Sequence, residues 1–371
     1  MSPRAARHPG LVETVPSDAQ ALLVMGFGGP EGLDEVVPFL ERVTAGRGIP
    51  RERLVEVGAH YELFGGVSPI NAQTRSLVAA VVAELERRGL DLPVYWGNRN
   101  AAPFVADTVA QMATDGITDA LLFATSSFAS YSGCRQYRED VALAVDGVDG
   151  VDGVDGVDGA PSFAKLRNHG NHPGFVEPMG DRLRAALAGI PADRRDDARI
   201  VFTAHSIPKS MADSCDYEAQ LHDSATLVMA AAGQPDPDAF DLVWQSRSGP
   251  PQMPWLEPDV GDHLRALASE SVTDVVLVPL GFVSDHVEVL YDLDIEAQAI
   301  AGEVGIHLVR ARTVGADPRY AAMIVDLFLE RQAGGLGRLA LGDRGAPHDI
   351  CLATCCPNLR HPETPAIAQA D

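Results

Sequence analysis

Short apolar runs that stop at glycine or a polar residue, each followed by a stretch with helical spacing, recur along this chain and leave few folds open to it. ALLVMGF (21–27) ends in Gly28, Gly29 and Pro30 and leads into DEVVPFLERVTAG, which has helical spacing. That order is strand, glycine turn, helix. LPVYWGN and DALLFATSS repeat the strand pattern, with the helical FVADTVAQMA between them and CRQYREDVALAV after them. Further on, ARIVFTAHS, FDLVWQSRSG and TDVVLVPLGF read as strands, and YEAQLHDSATLVMAAA, VGDHLRALAS and HVEVLYDLDIEAQAIAGE read as helices. Such alternation predicts an α/β protein of two similar lobes, each a parallel β-sheet flanked by helices. The expected division is a flexible N-terminus (1–17), a first lobe (18–174), a second lobe (175–331) and an irregular cysteine-containing tail (332–371). Residues 145–159 are VDG repeated five times. Glycines make that stretch costly to order and its valines are too sparse for a core, so a mobile acidic loop is expected there.

Composition narrows the function classes. With 29 basic and 52 acidic side chains the formal charge is -23, which repels nucleic acid and anionic lipid alike. No run reaches the roughly 18 apolar residues of a membrane span, and the opening MSPRAARHPG lacks the apolar core of a secretion signal. A cytoplasmic protein without integral membrane association is expected, as a monomer or weak dimer. Five cysteines, two of them adjacent, fit a secreted disulfide framework badly.

In open sheets of this kind ligands bind beyond the carboxyl ends of the strands. The polar residues at those ends are Ser126, Ser127, His205, Ser206, Ser246, Arg247 and 284–288. His205 closes IVFTAHS beside a proline-stiffened turn, a placement that suits a proton acceptor or a metal contact, or a histidine that braces the turn. No G-x-S-x-G elbow surrounds Ser206, MGFGGPEG lacks the G-x-G-x-x-G register, and a Walker A motif is absent. In DHVEVLYDLDIE, Glu288, Asp292 and Glu296 fall four residues apart, which on a helix stacks three carboxylates on one face at a cost of a few tenths of a kcal/mol per pair. The plain alternative is a solvated acidic face. A line of acids that handles protons or a divalent cation would offset the repulsion.

Seven segments carry a resemblance that covers nearly all of residues 18–331: GFGGPEG, HYELFGGVSPIN, VYWGNRN, SSFASYSGCRQYRED, FTAHSIP, WQSRSGPPQMPWLEPD and GFVSDHVEVLYDLDIE. The chain resembles the ferrochelatases, in particular the actinobacterial branch that uses coproporphyrin III. The resemblance implies a chelatase-like fold with a porphyrin cleft between the lobes, and insertion of ferrous iron into coproporphyrin III with release of two protons, in haem biosynthesis. Protoporphyrin IX as substrate, a cobalt or nickel chelatase, and a non-catalytic porphyrin or haem carrier are the alternatives. By the same resemblance His205 and Glu288 form the catalytic and metal-contacting pair, and Asp292 and Glu296 continue it as an acidic ladder along which a hydrated divalent ion binds or protons leave. On the opposite face family members often carry a tyrosine where Phe27 stands; a phenyl ring packs on the macrocycle but neither ligates metal nor donates a proton. Arg47, Ser68, Asn71 and Tyr137 are the expected contacts to the propionates and rim, arginine being the natural partner of a planar carboxylate.

Cys351, Cys355 and Cys356 lie together in ICLATCCPN, with Cys134 far away in YSGCRQYRE. Four thiolates suit tetrahedral zinc or a [2Fe–2S] cluster, and spacing does not separate the two. The resemblance implies a [2Fe–2S] cluster held by Cys134 and these three tail thiols, with Cys215 as the spare.

Overall fold

The computed structural model describes residues 17–146, 158–249, 252–332, 335–352, 354–367 and 369–370. Residues 1–16 and most of the VDG run, 147–157, lie outside the described residues. Among the described residues the strands pair into two four-stranded sheets of one design and a short two-stranded pair in the tail, Cys351–Leu352 with Gln369–Ala370. In the first, β1 (Ala21–Gly26), β2 (Val94–Asn98), β3 (Asp119–Ala124) and β4 (Ser162–Lys165) run in the order β2-β1-β3-β4. In the second, β5 (Arg199–His205), β6 (Asp241–Gln245), β7 (Asp274–Val278) and β8 (His307–Arg310) run β6-β5-β7-β8. Every pairing is parallel. The apolar runs are continuous rather than alternating because both faces are covered: β1 and β7 are buried at every position.

Each sheet has a core on either side. One face of both sheets meets a shared interior in which Leu22, Val24 and Phe123 of the first lobe and Phe202, Val276 and Val278 of the second belong to one cluster with helices Pro173–Leu187 and Pro318–Arg331. The last of these helices also packs on Ile70–Arg88 of the first lobe, where Arg88 pairs with Asp326 at 2.6 Å. A single interior holds the two sheets at a fixed separation. The outer faces have separate cores, built on Val109, Met112 and Val141 in the first lobe and on Leu264, Val289 and Leu293 in the second.

In both lobes the strand order reverses beside the central strand, between β1 and β3 and between β5 and β7. Crevices at such switch points are where open α/β sheets place their ligands. Both stretches of π-helix among the described residues also lie by candidate sites: Tyr131–Arg135 contains Cys134, and Leu290–Glu296 contains the acidic ladder. A π-turn closes i→i+5 rather than i→i+4 hydrogen bonds and is commonest at functional positions. The helical stretch expected after the strand TDVVLV is therefore present, from Val287 to Val304, but its middle is widened.

Candidate active site and thiol site

The second-lobe wall of the cleft is assembled from three strand ends. His205 is the last residue of β5 and lies in register with Gln245, the last of β6. Its Nδ1 contacts the carbonyl oxygen of Ser206 at 2.5 Å. A carbonyl only accepts, so Nδ1 carries the proton and the neutral ring leaves the Nε2 lone pair free. That Nε2 faces Glu288 Oε2 at 3.9 Å. The loop after β7 carries Glu288 to this position because Gly281 lets it cross β5 closely: a Cβ there would lie 2.6 Å from the Cβ of Ala204. Both side chains remain open to solvent, His205 to 34% and Glu288 to 52%, so a substrate in the cleft can reach them.

Behind this pair the acids are held in different ways. Ser246, at the unusual φ of 60°, donates its hydroxyl proton to Asp292 Oδ2, and Gln245 Nε2 approaches the same oxygen at 3.4 Å. Gln245 is itself fixed by Thr203, whose hydroxyl donates to its Oε1 at 2.8 Å. Both contacts fall on one oxygen of Asp292, Oδ2. Burial pushes its carboxyl up to about 7; the Ser246 hydrogen bond opposes this, and the charges of Glu288 and Glu296 add to it. Asp294 and Asp285, by contrast, are neutralised by Arg310 of β8, at 2.5 and 3.0 Å. Within 287–296, among the described residues, Glu288, Asp292 and Glu296 are the acids without an arginine or lysine partner. His286 is held below its ordinary pKa by burial, so it stands neutral beside the pair.

The first-lobe wall is aromatic and cationic. Phe27, just past β1, stacks edge-on against Phe39 with centroids 6.1 Å apart and lies under the Arg99 guanidinium at 5.7 Å. Arg99 also covers Tyr137 at 4.9 Å and is paired with Asp140. Arg47 stands exposed on a turn between Gly46 and Gly48, whose φ values of 73° and 64° favour glycine. The protein around its guanidinium, then the charges of Arg360 and Arg99, push it below its usual range. Ser68, Asn71 and Tyr137 are all buried. The Asn71 amide is committed to the glycine turn, accepting from Gly29 N at 3.3 Å and donating to Gly29 O at 3.0 Å. Across the mouth, His60 of the first lobe stacks on Tyr291 of the second, 3.7 Å apart and within 7° of parallel.

The second site is made of thiols. All five cysteines are free. His348 Nε2 lies 3.5 Å from Cys351 Sγ and 3.7 Å from Cys355 Sγ, and the three donor atoms form a group able to hold a metal ion. Cys355 and Cys356 sulfurs are 3.9 Å apart, and Cys356 takes the left-handed φ of 49°; Cys356 is not part of the metal-capable group. Hydrogen bonding with Cys134, then Cys215 and Cys355, pushes the Cys356 thiol up, while Cys351 and Cys356 hold Cys355 down at about 4. Cys134 of the first lobe and Cys215 of the second thus act on the Cys356 thiol. Of the four cysteines named from the sequence, the metal-capable group contains Cys351 and Cys355 and not Cys134 or Cys356, and it includes His348, which stands in an aperiodic segment and was not foreseen. Ser246 and Gln245 were visible only as polar strand-end residues. Buried soft donors without disulfides fit a thiolate-bound metal or iron–sulfur group.

Two parallel sheets facing one cleft, with a histidine and an acidic ladder on one wall, define a chelatase-like protein. The architecture is similar to that of SirB from Bacillus subtilis, with a TM-score of 0.50 at 12% identity over 87% of this chain and 100% of that one. The chain belongs to the ferrochelatase family, whose model matches residues 19–332. It is 51% identical to the coproporphyrin III ferrochelatase of Streptomyces griseus, covering 96% of this chain and 97% of that protein. It is likewise 51% identical to that of Streptomyces coelicolor, over 98% and 99%. Among the described residues no helix is long and apolar enough to cross a membrane.

Proposed function

We propose that this chain inserts ferrous iron into coproporphyrin III, forming its iron complex and releasing two protons, in haem biosynthesis. The observation that carries the catalytic reading is the pairing of His205 Nε2 with Glu288 Oε2 at 3.9 Å on the open wall of the cleft. A pyrrole N–H is a poor acid in water, so insertion needs a fixed base beside the macrocycle as iron arrives. His205, with its proton on Nδ1, offers Nε2 as that base. Glu288 stabilises the imidazolium that forms and takes the proton on. Asp292, poised near neutrality, and Glu296 continue the route, and the same oxygens are hard ligands for incoming hydrated iron. Macrocycle and iron thus meet between unlike walls: Phe27 packs on the ring, Arg47 faces the propionates, and Ser68, Asn71 and Tyr137 hold that wall in shape.

The thiol site is read as the seat of a [2Fe–2S] cluster on Cys134, Cys351, Cys355 and Cys356, with Cys215 and His348 adjacent. Such a group supplies a covalent tie between tail and first lobe when bound. The proton and iron chemistry falls to His205, Glu288 and the ladder.

Anaerobic iron insertion, followed as loss of free-porphyrin fluorescence with coproporphyrin III and protoporphyrin IX offered separately, tests the reading. Faster turnover of coproporphyrin III supports it; faster turnover of protoporphyrin IX replaces the substrate; tight binding without turnover of either would leave a porphyrin carrier.

A further inference from the structure

The segment that carries Glu288 belongs to the second lobe but is gripped by the first, at Asp285, Val287 and Tyr291. The backbone N–H of Asp285 donates to Gln73 Oε1 at 3.0 Å, on the first-lobe helix Ile70–Arg88. Val287 is buried in a cluster otherwise made of first-lobe residues, among them Val36, Phe39, Leu54 and Tyr61, with Phe27 packed against it. Tyr291 stacks on His60, in the last turn of the helix Arg51–Glu62, with ring centroids 3.7 Å apart and planes within 7° of parallel. Glu288 lies between the second and third of these contacts, and Asp292 directly follows the third.

The contacts at the two ends of this grip differ. Asp285 is also held within its own lobe by Arg310, at 3.0 Å. Tyr291 opens the π-helical stretch Leu290–Glu296, a rare geometry with wider turns than an α-helix, so its position leans on contact from outside the helix. His60 supplies that contact. Among the described residues the His60 imidazole makes no hydrogen bond or ion pair, and the stack on Tyr291 is what it contributes. His205, by contrast, is placed by β5 alone. The 3.9 Å between His205 Nε2 and Glu288 Oε2 is therefore set partly by a side chain of the opposite lobe. Such spacing matters, because a misplacement of about 1 Å at reacting groups costs on the order of 10²-fold in rate.

Resting on the reading of His205 and Glu288 as the proton-handling pair, we infer that His60 is a positioning residue for iron insertion, whose stack on Tyr291 braces Glu288 and Asp292 against His205 from across the cleft. A first-lobe side chain thereby acts on the rate of the chemistry, unlike Phe27 and Arg47 of the same lobe, which act on the porphyrin.

The experiment uses the full chain as wild type, His60→Ala, His60→Phe, Tyr291→Ala and the double variant His60→Ala/Tyr291→Ala. Each is measured by single-turnover iron insertion, by fluorescence titration with coproporphyrin III, and by amide hydrogen exchange across 285–296. A stacked aromatic pair is worth roughly threefold to tenfold in an equilibrium constant, and His60→Ala is expected to lower the insertion rate by that factor. Its Kd should stay within about twofold of wild type, and exchange across 285–296 should quicken. His60→Phe keeps a ring on Tyr291 and recovers the rate. The double variant is no slower than the slower single one, because both remove the same contact. An unchanged rate and exchange in His60→Ala overturns the inference, as does a loss confined to Kd or a failure of His60→Phe to recover the rate. Wild-type protein that binds coproporphyrin III without turnover would sink the enzymatic reading instead; exchange across 285–296 would then decide the brace, quickened in His60→Ala if it exists and unchanged if it does not.

Discussion

The two lobes share a strand order and differ in almost everything they show the cleft. The first lobe sets an aromatic ring just past β1, Phe27, under Arg99 just past β2, and carries Arg47 on an exposed glycine turn. At the end of β5 and after β7 the second sets an imidazole and a row of carboxylates: His205, Glu288, Asp292 and Glu296. On the proposed reading the same topology gives one wall to a flat polyanion and one to protons and a hard cation. Function here lives in the loops at the switch points, and the fold supplies their spacing.

If the walls divide the work this way, damage to each should have a different kinetic signature. The largest effect is expected on the second wall: His205→Ala lowers kcat for iron insertion by roughly 10²–10⁴-fold while leaving the affinity for coproporphyrin III near its wild-type value, read by fluorescence titration. Glu288→Gln keeps the shape and removes the charge beside Nε2. A loss of roughly 10²-fold in kcat is expected, with the acid limb of the pH–rate profile moved toward lower pH, because without the carboxylate the imidazolium is less stable and the base deprotonates more readily. On the first wall Arg47→Ala reverses the pattern, raising KM for the porphyrin by up to about tenfold with little change in kcat. A loss of kcat in Arg47→Ala as large as that in His205→Ala would dissolve the distinction.

The smallest effect concerns stability. Asp292 titrates near 7 in the folded protein against an ordinary value near 4, so folding favours its protonated form. Its contribution is most favourable below the unfolded value and is lost as pH rises through the folded one. Asp292→Asn should therefore raise the unfolding free energy at pH 8 by on the order of 1 kcal/mol after allowance for solvent screening, read as a higher melting temperature, and the gain should fade as pH drops toward 4. A gain that does not depend on pH would point to packing instead.

Much of this architecture could be read before any coordinates. Continuous apolar runs announced buried parallel strands, and His205 stood out because a polar residue ended such a run. What escaped was symmetrical: β4 and β8, the outer strands at the same edge of each sheet, are only 4 residues long and carry no strong apolar signal. Pairing order was also hidden, since it depends on contacts between distant segments. The four-residue spacing of Glu288, Asp292 and Glu296 was plain, but not that the ladder runs through a π-helix, nor that Arg310 from β8 removes Asp285 and Asp294 from it. His348 was invisible for a different reason. The tail has no periodicity, and its residues acquire meaning only where Asn358, Arg135 and Arg138 bind it to the first lobe.

The most direct test of the central claim is a pair of numbers for one variant: the dissociation constant for coproporphyrin III and the single-turnover rate of iron insertion in His205→Ala. A Kd within about twofold of wild type beside a rate lowered by at least about 10²-fold is the result expected if the second wall does chemistry and the first wall binds. A weakened Kd that accounts for the whole loss of rate would contradict it, and would make His205 a binding residue like those across the cleft.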